Sequence, residues 1–145
     1  MPPVPHTLEG RGLRLCRFSM EDHIPLPGFY LDDRVIPIDQ AAEAFAEVED
    51  VDLILPTTED LLDLLPPDGQ AFDSLCDLAR WLGGPTAPPL ADLAIPMDDV
   101  RLLCPIPRPP KLLLLAGNYA QHVVERGGAA PERAETFPYV FMKPP

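Results

Sequence analysis

The sequence predicts an α+β protein. A small N-terminal α/β domain over residues 13–104 is followed, after a proline-rich linker at 105–110, by an incomplete β-rich domain at 111–145. Three observations carry this expectation. Short strand-like runs separated by turn residues fill positions 13–38, and an apolar stripe with helical period occupies 72–82. A strand-sized, almost wholly apolar stretch then follows the prolines, from Lys111 to Ala116.

Residues 1–12 are rich in Pro and Gly and are expected to form a flexible N-terminus. Leu13–Phe18 alternates as a strand does, with Leu13 and Leu15 on one side and Cys16 and Phe18 on the other. Ser19–Gly28 carries two prolines and reads as a loop. Phe29–Leu31 and Arg34–Ile38 read as two short strands around Asp32-Asp33, with Pro37 placing the second on a sheet edge or ending it. Asp39 is suited to cap a helix from Gln40 to about Val48, since its carboxylate accepts amide protons that the first turn leaves unpaired.

Thr57, with Asp60 three positions on, resembles a capping box for a short helix that stops at Pro66-Pro67. Asp68 is expected to begin the clearest helix. Its stripe is Phe72, Leu75, Cys76, Ala79 and Leu82, and Gly83-Gly84 ends it. The Gly-Gly-Pro and Pro-Pro punctuation within 83–98 predicts a connector, and Asp99–Cys104 a strand. Four prolines within 105–110 remove amide donors and fix φ, so neither a regular helix nor a central strand is possible there; an extended, semi-rigid linker is expected. Lys111–Ala116 reads as a strand buried on both faces. Asn118 caps a helix to about Arg126, Gly127-Gly128 ends it, and Phe137–Met142 is a further strand.

Composition excludes several functional classes. Net charge is −12, which disfavours a nucleic-acid surface, because phosphate binding needs clustered Lys and Arg. The charge is uneven: residues 1–100 hold 5 basic and 20 acidic side chains, whereas 101–145 hold 6 basic and 3 acidic. A carboxylate substrate is attracted to the second part and repelled by the first. No apolar run approaches the ~18 residues of a membrane span, and the start lacks the basic and apolar regions of a secretory signal, so a cytoplasmic protein is expected. Cys16, Cys76 and Cys104 are odd in number and far apart, which suggests buried, reduced thiols rather than disulfides or a zinc knuckle.

The residues with chemical potential lie late in the chain. Tyr119, His122 and Glu125 recur every third position, and an α-helix brings i and i+3 side chains onto one face. The imidazole of His122 and the carboxylate of Glu125 can therefore approach each other as a base and its orienting acid. By spacing alone a core or surface histidine is the commoner outcome. Glu125 adds one cue: in a final helical turn its charge opposes the macrodipole at a cost of a few tenths of a kcal/mol, so it is expected to have another task. Tyr119 and Lys143 are the substrate-binding candidates. Tyr119 most simply packs, with its hydroxyl at the domain edge; Lys143 either meets a substrate carboxylate or is an exposed lysine at a strand end.

The pattern Gly117-Asn118-Tyr119-x-x-His122-x-x-Glu125, after a proline linker and an apolar strand and before Phe141-Met142-Lys143-Pro144, resembles the start of the catalytic domain of the fumarylacetoacetate hydrolase family. The resemblance is specific over 99–145 and looser over the preceding residues, including Arg34–Asp39. One departure is that Gly117 and Asn118 are adjacent, where the commoner family pattern separates them by one residue. The resemblance implies a divalent-metal-dependent enzyme that cleaves, decarboxylates or isomerises small keto and diketo acids. Magnesium or manganese would hold the substrate oxygens and stabilise enolate charge. It implies His122 as general base and Glu125 as its polarising partner.

The family's cation ligands, a Glu-x-Glu pair downstream of the histidine and a later aspartate, have no counterpart in 126–145, where Glu132 and Glu135 are the only acids. Glu47-Val48-Glu49 matches the pair superficially, but it precedes the histidine and ends an acidic helix. The chain is accordingly expected to be an N-terminal fragment of a longer, homodimeric enzyme, inactive by itself. The alternative is a small acidic interaction or regulatory module that binds a protein partner through its uncovered strand.

Overall fold

The computed structural model describes residues 13–21, 23–65, 69–116, 127 and 139–143. Helices and antiparallel strands occur together, so the chain is of mixed α+β class. It divides into two compact units, Met1–Ile106 and Pro107–Pro145. The expected flexible segment at 1–12 lies outside the described residues.

The first unit is built on five strands: β1 (Leu15–Ser19), β2 (Leu26–Tyr30), β3 (Arg34–Pro37), β4 (Ile95–Pro96) and β5 (Arg101–Leu103). Their order is β4-β3-β2-β1-β5, and every pairing is antiparallel. Helix α1 (Ile38–Glu49) follows β3 without a break. Helix α2 (Gln70–Leu82) and the single turn α3 (Leu90–Leu93) precede β4.

Alternation along the strands sorts the apolar side chains onto two faces. On one face Phe29 and Ile36 pack with Ile38 and Ala41 of α1, with Leu61 and Leu64, and with Leu75, Leu78, Trp81 and Leu82 of α2. On the other, Cys16, Phe18 and Val35 form a smaller cluster, closed by Leu26, Ile95, Met97 and Val100. Gly28 makes this second cluster possible. A Cβ there would lie 2.6 Å from Val35 Cγ1 and 2.8 Å from Phe18 Cε1, so only hydrogen lets the two flanking side chains close over the strand.

The predicted loop at 19–28 is corrected by β2, which starts at Leu26 and runs through Pro27 in the middle of the sheet. The ladder explains why proline is tolerated. The Tyr30 amide donates to the Arg14 carbonyl and the Leu31 amide to that of Arg34, which fixes the alternation: the nitrogen of Pro27 points toward the β3 side. Its opposite position there is residue 38, already helical, so no ladder bond is lost. By the same alternation the nitrogen of Pro96 faces the open edge beyond β4. Pro37 ends β3, as one of its two predicted readings has it. The other fails, because β3 lies between β2 and β4 and is not an edge strand.

Several helix starts also move. Helix α1 begins at Ile38 after Pro37, so Asp39 is not its cap; the Asp39 carboxylate accepts from the Gln40 amide inside the first turn. With Ile38 buried in the core, the helix starts two residues closer to the strand than capping chemistry alone suggests. Asp60 rather than Thr57 caps the next element, a 3-10 turn at Leu61–Leu64. Asp60 Oδ1 accepts from the Leu62 amide at 3.0 Å, and Thr58 Oγ1 accepts from the Asp60 amide at 2.9 Å. Helix α2 starts at Gln70; Leu75 and Leu82 of its predicted stripe are buried and Cys76 and Ala79 half-buried, whereas Phe72 is exposed and Leu78 and Trp81 join the core instead. The predicted connector at 83–98 contributes β4 to the sheet.

Of the three thiols only Cys16 is buried, which corrects the uniform burial expected. Cys76 is half-buried. Cys104 is exposed, and its Sγ donates to the Ile106 carbonyl at 3.5 Å.

The second unit contains β6 (Leu112–Ala116) and β7 (Tyr139–Lys143), paired antiparallel from Leu112↔Lys143 to Ala116↔Tyr139. The expectation that the first of these is buried on both faces is not met. Leu112, Leu113, Leu114 and Leu115 are all exposed, because a single partner strand saturates one edge and covers neither face.

Candidate functional site

In the sequence, Tyr119, His122 and Glu125 fall after β6 and before β7, and Lys143 lies on β7. Tyr119, His122 and Glu125 lie outside the described residues, together with Gly117 and Asn118. What the structure places is the frame: β6 ends at Ala116, immediately before the Gly-Asn pair, and β7 carries Lys143. Gly127 adopts φ 78°, a left-handed conformation that glycine enters without the steric cost other residues bear.

Lys143 is exposed and stands opposite Leu112. Alternation places it on the same face as Phe141 and Leu114, so this face ends in one positive charge after a run of apolar side chains. The opposite face carries Leu113, Leu115, Val140 and Met142, all apolar among the described residues of the two strands. Lys143 is thus the one predicted site residue whose surroundings are described, and its side chain is exposed.

In the first unit several charged side chains hold elements of the fold together. Glu49, the last residue of α1, accepts from Trp81 Nε1 at 2.8 Å and from Thr86 Oγ1 at 2.9 Å, tying the end of α1 to the end of α2. The ring of Trp81 also meets Phe45 edge-on, with centroids 5.3 Å apart. Sequence reasoning set Glu47-Val48-Glu49 aside as a cation pair without finding this bond. An acid in the last turn of a helix, where the dipole disfavours it, was the available signal. Arg14 pairs with Asp32 at 2.6 Å and lies over the Tyr30 ring, bracing the β2–β3 hairpin at its surface.

Burial pushes the Cys16 thiol up to about 11, so at neutral pH it is protonated and unsuited to nucleophilic work. Among the described residues no group of three or more His, Cys, Asp or Glu side chains converges as a cation cage would require. Nor is any helix among them long and apolar enough to cross a membrane. No protein-family model matches this chain, and no curated protein matches it.

Proposed function

We propose that the chain supplies the N-terminal part of a cytoplasmic, divalent-metal-dependent enzyme acting on small keto or diketo acids, similar to the fumarylacetoacetate hydrolase family. The observation that carries this reading is one of order along the chain. The spacing Tyr119-x-x-His122-x-x-Glu125 starts three residues after an apolar strand, and Phe141, Met142 and Lys143 of the aromatic-x-Lys-Pro segment lie on the strand that pairs with it.

In this reading the imidazole of His122 takes a proton from water or substrate, and the Glu125 carboxylate holds the ring and raises its basicity. Lys143 and Tyr119 orient the substrate, the ammonium by attracting its carboxylate. The magnesium or manganese ion of such enzymes would stabilise enolate charge. The described residues do not fit such an ion, and residues 126–145 lack a Glu-x-Glu pair, so the roles assigned here belong to the protein's own side chains.

The test is turnover by a polypeptide in which this segment continues into a strand with two glutamates one residue apart. Against diketo acids and oxaloacetate-like substrates, His122→Ala is expected to lower kcat/KM by about 10²–10⁴-fold, the usual yield of a positioned general base. Unchanged turnover would remove the proposal.

The second reading, an acidic module without catalysis, is favoured by the exposed apolar side chains of β6. It separates from the first by outcome: a protein partner is retained by the 145-residue chain and released by a charge at Leu113, with no turnover in any form.

A further inference from the structure

We draw no further inference here: the strongest candidate, the two apolar faces of the β6–β7 hairpin (Leu113, Leu115, Val140 and Met142 on one, Leu112, Leu114 and Phe141 on the other), carries nothing because no feature among the described residues says what covers it.

Discussion

The two sheets of this chain use the same kind of residue to opposite effect. In the first unit Phe29 and Ile36 are wholly buried, because helices α1 and α2 and the turn at Leu61–Leu64 lie over their face of the sheet. In the second, Leu113 is 69% exposed although its strand is the most uniformly apolar stretch of the sequence. Hydrophobicity therefore marks which surfaces gain from being covered, at roughly 25 cal/mol per Å². It does not supply the covering layer. That layer comes from amphipathic helices with room to cross the sheet, which the first unit has in α1 and α2.

The sharpest way to break this comparison is to truncate one leucine in each unit. Leu75→Ala removes a fully buried side chain and is expected to cost about 2–5 kcal/mol in chemical denaturation. Leu113→Ala should change stability by less than about 0.5 kcal/mol, as surface substitutions usually do. Comparable losses at both positions would mean that the hairpin is covered in solution.

A smaller effect is expected at Glu49. Replacing it with alanine removes the acceptor shared by Trp81 and Thr86 and should cost on the order of 1 kcal/mol, while glutamine, which keeps an acceptor oxygen, should lose less. This substitution bears on function as well. A final-turn acid is only an expectation at Glu125, whereas Glu49 holds that unfavourable position at the end of α1, where it accepts from an indole and a hydroxyl. At Glu49 the unfavourable dipole position is offset by its two donors. Such a position does not by itself say that an acid's partner is a catalytic base.

The mildest contrast is between thiols. With Cys16 raised from 9.0 to about 11, the folded chain keeps that proton where the unfolded chain has lost it. Its contribution to stability is accordingly full below pH 9.0 and disappears as pH rises toward about 11. Alkylation at neutral pH should reach exposed Cys104 first and Cys16 last. Equal rates would show that the cluster around Phe18 opens readily.

Much of the first unit is legible in the sequence, and the failures share physical causes. The β2–β3 hairpin, α2 and the strand at 101–103 follow from alternation, helical period and turn residues, because each is decided locally. The first half of β2, residues 26–28, and strand β4 do not, since proline counts as a breaker until the register shows that its missing donor faces no partner. The α2 stripe holds at Leu75 and Leu82 but misses at its margins for a related reason. Phe72 is as apolar as Leu78 and Trp81, and only the position of the sheet and α1 decides which are covered. In the second unit both strands are legible from their apolar runs. Tyr119, His122 and Glu125 are legible only as a spacing, whereas Lys143 gains a strand, a face and exposure from the fold.

The central functional claim is that the Glu125 carboxylate polarises the His122 imidazole, and the pH dependence of kcat/KM tests it most directly. In a catalytically competent polypeptide containing this segment, Glu125→Gln should move the acidic limb to lower pH, because an imidazole without its anionic neighbour gives up its proton more readily. The plateau rate should fall at the same time. An acidic limb that stays in place after the substitution would contradict the pairing.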